Sequence, residues 1–149
     1  MLRYSDAAHV RTIDGKCSGN GQFRHPSGIA VDSEGNVAVL DTGNARVQVH
    51  RLNDGAYIRT IGSRGTDNGQ FGRGDGDVAF DSEGNLVVAD CDNHRVQVLR
   101  YSDGAHVRTI GSEGSGNGQL INPCGGVAID SDGRIVVADT NNDRVQVLE

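Results

Sequence analysis

Val31-Asp32-Ser33-Glu34-Gly35-Asn36 returns as Phe80-Asp81-Ser82-Glu83-Gly84-Asn85 and again as Ile129-Asp130-Ser131-Asp132-Gly133-Arg134. The leading aspartates are evenly spaced (81 − 32 = 49 and 130 − 81 = 49). The same step links Asp41, Asp90 and Asp139, and then Arg46, Arg95 and Arg144, each arginine followed by Val-Gln-Val. A fixed period of this length marks stacked structural units, and three of them account for nearly the whole 149-residue chain.

Within one period the apolar and β-branched residues fall into four short runs separated by Gly, Asn, Asp and Ser, the pattern of four strands. Strand a is Ile29-Ala30-Val31, Val78-Ala79-Phe80 and Val127-Ala128-Ile129; strand b is Val37–Leu40, Leu86–Ala89 and Ile135–Ala138. Both read as buried on two faces. Strand c, Arg46-Val47-Gln48-Val49 and its copies at 95–98 and 144–147, alternates as a strand with one drier face does. Strand d is the most polar: His9–Ile13, Tyr57–Ile61 and His106–Ile110. The Gly of each Asp-Ser-(Glu/Asp)-Gly run stands where a tight a–b hairpin needs positive φ. The d–a segment from Gly62 to Asp77 is long enough to cross from the outside of one unit to the centre of the next.

The composition agrees with an all-β protein, with 22 glycines, no tryptophan and only 4% aromatic residues. The net charge of −6 and a single lysine argue against a surface that neutralises many phosphates, so a nucleic-acid partner is not expected. No apolar run approaches the ~18 residues of a membrane span. Cys17, Cys91 and Cys124 are odd in number and lack CxxC or zinc-ligand spacing, which points away from a disulfide framework and a metal site and toward a reducing, cytoplasmic compartment. A Cys91–Cys124 bridge, with both cysteines on one face, is the only pairing the reading entertains.

Gly28-Ile29-Ala30-Val31-Asp32-Ser33-Glu34-Gly35-Asn36, followed by Leu40-Asp41-Thr42-Gly43-Asn44-Ala45-Arg46-Val47-Gln48-Val49, resembles the signature of the NHL-repeat family, and it recurs in all three copies. The second copy departs from it with Arg73–Asp77 where the others carry Pro26 and Pro123, and with Cys91-Asp92 in place of Thr42-Gly43. The resemblance implies a β-propeller with blades of four antiparallel strands, usually six to a ring, strand a lining the channel and the d–a and b–c loops sharing one face. Members serve mostly as docking surfaces for proteins or RNA; a minority, including a peptide-amidating lyase, are enzymes.

Residues 1–149 then read as a single half-propeller, with a-b-c units at about 28–51, 77–100 and 126–149 and a strand d supplied at 2–13. Three blades at about 60° each leave two flanks open, and two copies joined head to tail close a ring of six. The expected partner is a second copy, with strand d of one chain (Val10, Thr12) clasping strand c of the other (Val145, Val147); the alternative is a fragment of a longer protein- or RNA-binding module of the same family whose further repeats complete the ring.

The pairs Asp41/Arg46, Asp90/Arg95 and Asp139/Arg144 flank the b–c turn and read as hairpin braces, because all three copies keep them. The copies differ most in the d–a and b–c loops, so Arg24, His25, Arg73, Asp75, Asp77, His94 and Asn122 are the candidates for a protein or peptide ligand on the loop face. Strand a offers only Ile, Ala, Val and Phe before its terminal aspartate, with no nucleophile, base or histidine triad, so neither catalysis nor a cofactor is expected. Asp130-Ser131-Asp132-Gly133 lacks the later glutamate of a calcium loop.

Overall fold

The a–b turns fold as the sequence predicts. Gly35, Gly84 and Gly133 take φ of 83°, 79° and 80°. Asp32 Oδ1 accepts the backbone N–H groups of Glu34 and Asn36, both at 2.8 Å, and Asp81 and Asp130 do the same in their turns. The aspartate thereby replaces a backbone acceptor and fixes the hairpin register.

The protein is described by a computed structural model covering residues 8–14 and 18–149. The first sheet holds β1 (Pro26–Val31), β2 (Asn36–Asp41), β3 (Arg46–Arg51) and β4 (Tyr57–Ile61) in that spatial order. A short parallel pair, β5 (Ser63–Arg64) with β6 (Gln70–Phe71), shapes the connection to the second sheet. That sheet comprises β7 (Asp77–Phe80), β8 (Leu86–Asp90), β9 (Arg95–Leu99) and β10 (His106–Ile110). The third comprises β11 (Val127–Ile129), β12 (Ile135–Asp139) and β13 (Arg144–Leu148). All pairing within these sheets is antiparallel.

Two apolar layers join the sheets. Ala38, Leu40, Val47 and Val49 of the first meet Val78, Leu86, Val88 and Leu99 of the second, with Ile61 and Phe71 closing the layer. Val87, Ala89, Val96 and Val98 then meet Val127, Ile135 and Val137 of the third, with Leu120 where Phe71 stood. Each strand thus sends alternate residues to opposite neighbours, and a fully buried Val or Leu contributes about 1.5–3 kcal/mol.

At the outer flanks the same positions are bare. Val145 and Val147 are 66% and 55% exposed, whereas their equivalents Val47, Val49, Val96 and Val98 are buried. Ile29 is 65% exposed, against 3% for Val78 and 7% for Val127. Strand a is therefore not buried on both faces: no sheet packs on its outer side in the first sheet among the described residues, Ala79 and Phe80 of the second are only half-buried, and Ala128 of the third is exposed.

Residues 8–14 carry no strand ladder in the single chain: they are irregular, Val10 is 90% exposed, and among the described residues no strand c lies beside them. The remainder of that expected strand, 2–7, lies outside the described residues. Strand c corrects one expectation: in the first two sheets it has no wet face, because Gln48 and Gln97 are fully buried and hydrogen-bonded at both ends of the amide.

Candidate functional site

Each b strand ends on a buried aspartate that gathers donors. Asp90 Oδ1 accepts the Gly72 N–H at 2.9 Å; its Oδ2 accepts Asn93 Nδ2 and Arg95 Nε, both at 2.9 Å, and Gln97 Nε2 at 3.2 Å. Arg95 reaches on to the carbonyls of Asp67 and Gln70, so the hub ties the b–c turn to the incoming d–a segment. Asp41 with Arg46 and Asp139 with Arg144 repeat the arrangement. Burial pushes the Asp139 carboxyl up, but N–H donation from Ile121, Asn142, Arg144 and Gln146 outweighs it and holds the group below the usual carboxylate range. Four donors converge on each carboxylate, three of them on one oxygen, and this bonding ties the turn to the strand and to the connector.

Between the hub residues the chain makes a one-turn 3-10 helix: Thr42–Asn44, Cys91–Asn93 and Thr140–Asn142. Ala45, His94 and Asp143 follow it in the left-handed region at φ of 51°, 53° and 52°. These turns and the d–a segments form one end of the three sheets, since strands alternate in direction.

On this loop face four of the seven candidates converge. Arg24, His25, Arg73 and Asp75, all exposed, line a concavity of about 340 Å³ with Thr42 and Gly43 at the junction of the first two sheets. His94 and Asn122 meet at the next junction, where the Asn122 N–H donates to His94 Nδ1 at 3.0 Å. Asp77 stands apart at the start of β7 and accepts the Val127 N–H at 3.2 Å. The clasp residues Val10, Thr12, Val145 and Val147 are not brought together within one chain.

Sequence reasoning gave little weight to the cysteine bridge and missed a cleft altogether. Cys91 is bonded to Cys124, correcting the expectation drawn from the odd count, since the 3-10 turn of the second sheet packs against the connector into the third. Cys17 lies outside the described residues. A cleft of about 610 Å³ also opens at the opposite end, between the a–b turns of the first and second sheets. Its floor is Tyr101, which donates to Asp32 Oδ2 at 3.0 Å, packs edge-on to Phe80 and carries Arg59 over its ring. Burial and the Asp32 carboxylate raise the Tyr101 hydroxyl above the usual tyrosine range. Among the described residues no three His, Cys, Asp or Glu side chains cluster to hold a metal.

The family model for the NHL repeat matches residues 23–49, 76–99 and 124–148, one match on each sheet. The chain belongs to the NHL-repeat family. Among solved structures it resembles the WD40 β-propeller domain of Doa1 (TM-score 0.60, 16% identity, covering 82% of this chain and 36% of that one). It also resembles the catalytically inactive H270A virginiamycin B lyase from Staphylococcus aureus with quinupristin (0.57, 15%, 83% and 38%). A protein of unknown function from Bacteroides caccae is similar in the same way (0.57, 19%, 74% and 37%). A search of the curated proteins finds no match. At these identities the likeness shows the fold, and this NHL chain spans little more than a third of each of those structures.

Proposed function

We propose that this NHL chain is a noncatalytic scaffold, two copies of which close a six-bladed ring through identical head-to-tail joints. The observation that carries the reading is the exposure of Ile29 on one flank and of Val145 and Val147 on the other, at positions that the next repeat covers at both internal joints. Stacking the third sheet of one copy on the first sheet of another buries these residues in the manner of Val78 against Val47 and Val49.

Residues 8–14 fit the same joint. Arg11 donates to the Asp54 carbonyl and Ile13 lies against Gly55, much as Arg59 donates to the Tyr101 carbonyl and Ile61 lies against Gly104. The segment therefore runs where the outer strand of a preceding blade belongs. The edge of β13 in a second copy supplies the ladder it needs, bringing Val10 and Thr12 beside Val145 and Val147.

The test is solution mass with a cross-link. Thr140 stands 49 residues after Cys91, and Pro26 precedes strand a by the same count as Cys124. In a Cys17→Ser background, Thr140→Cys combined with Pro26→Cys should yield a reductant-sensitive dimer, and the wild-type chain should sediment at twice 15.7 kDa. A monomer at every concentration would refute the ring of two. It would favour a second reading, supported by the short span relative to the solved propellers, in which further repeats of a longer polypeptide cover the flanks and the loop face docks a protein or RNA.

A further inference from the structure

The two internal joints differ on the loop face. At the junction of the second and third sheets the space is closed by the Cys91–Cys124 bridge, and Asn122 bonds to His94, to the Cys91 carbonyl and to Asn141. At the junction of the first and second sheets no bridge forms, and the concavity lined by Arg24, His25, Thr42, Arg73 and Asp75 stays open.

Its two arginines are held by their backbones. The Arg24 N–H donates to Asp41 Oδ1 at 2.6 Å and its carbonyl accepts the Gly43 N–H at 2.7 Å, while the Arg73 N–H donates to Asp92 Oδ2 at 3.0 Å. Gly43 makes room for this approach, since a Cβ there would stand 2.6 Å from Arg24 Cγ. Among the described residues neither guanidinium has a hydrogen-bond or ion-pair partner, in contrast to the hub arginines Arg46, Arg95 and Arg144.

We infer that this concavity is a binding site for an acidic peptide segment. Two preplaced, unpaired guanidinium groups on facing loops suit a carboxylate, which accepts parallel N–H bonds from such forks. Asp75 supplies the complementary acceptor for a peptide N–H, a donor that a phosphate backbone lacks. The size suits one or two side chains. All the lining residues come from one chain, so the site does not depend on ring closure.

The experiment is fluorescence anisotropy at low salt with labelled hexaglutamate, and with labelled hexaglutamine and oligouridylate of similar length as controls. Hexaglutamate should saturate one site per chain, and each of Arg24→Gln and Arg73→Gln should weaken it about tenfold, the size of one charge-assisted hydrogen bond. Arg64→Gln, on the exposed strand β5, should leave it unchanged. Hexaglutamine and oligouridylate should not bind. Absence of saturable hexaglutamate binding, binding indifferent to both substitutions, or equal or tighter oligouridylate binding would each overturn the assignment. Sedimentation of the same samples reports on the ring separately, since a monomer that binds hexaglutamate refutes closure and keeps the site.

Discussion

Replacing Asp90 with Ala removes the acceptor at the centre of the second sheet's fastening. Four donors lose this acceptor at once, the Gly72 N–H, Asn93 Nδ2, Arg95 Nε and Gln97 Nε2, of which Asn93 and Gln97 each keep one carbonyl partner. Gln97 is fully buried and the Arg95 side chain is only 12% exposed, so neither recovers its hydration without local opening. Breaking a buried pair from one side costs about 3–5 kcal/mol, and that sum corresponds to a fall in Tm of about 6–20 °C for a chain of this size. The measurement is urea unfolding at fixed protein concentration, with Asp139→Ala as the internal comparison. In the single chain its Arg144 is more than twice as exposed as Arg95 and Gln146 is only partly buried, so the loss at Asp139 should be the smaller in a monomer and should match that at Asp90 where a second copy covers β13. A double-mutant cycle with Arg95→Ala should show strong coupling. An Asp90→Ala protein within about 1 kcal/mol of wild type would mean that the hub is ornamental and that the apolar layers alone hold the sheets.

Gly76→Ala should be among the most damaging single-methyl additions, because its Cβ would stand 1.9 Å from the Ala89 carbonyl oxygen, whereas Gly84→Ala meets nothing and is disturbed only by its φ of 79°; thermal melts should rank them in that order. Asp139 is held below its unfolded value, so its contribution is complete above about pH 4 and is lost as pH falls through its lower folded value. The stability gap between wild type and Asp139→Asn should therefore shrink on acidification, and a gap that stays constant through the acid range would count against the hub. Alkylation without reduction should leave Cys91 and Cys124 untagged, and reducing their bridge should cost about 2–4 kcal/mol; tagging of both in native, oxidised protein would contradict the bridge.

The strands and their order were legible because each is a short apolar run bounded by turn residues at a fixed step. The aspartate–arginine braces were legible for the same reason. The glutamines were misread: Val-Gln-Val looks like alternation toward water, and only the surrounding backbone shows that Gln48 and Gln97 find a full set of partners in a dry layer. The left-handed Ala45 was invisible, since alanine carries no signal for that region and is held there by the N–H bond to the Thr42 carbonyl. Residues 9–13 carried a strand's composition without a strand's partner, and composition alone cannot supply a ladder. Four loop-face residues were found because they differ between copies; the Gly43 gap that seats Arg24 was not, as it depends on an approach between two loops.

The Asp90 hub takes one of its donors from Gly72, which precedes the second sheet, as Asp41 takes one from Arg24 and Asp139 one from Ile121. Every sheet is thus buttoned to the connector on its upstream side, and the piece that is chemically complete runs from connector to strand c. Such pieces can be multiplied or deleted in whole periods without leaving a half-made hub, so the number of repeats in a chain is free to change. A cut placed inside a connector would strand an aspartate in the next sheet, and whole-period boundaries are therefore the ones along which a propeller of this kind can be divided among separate chains.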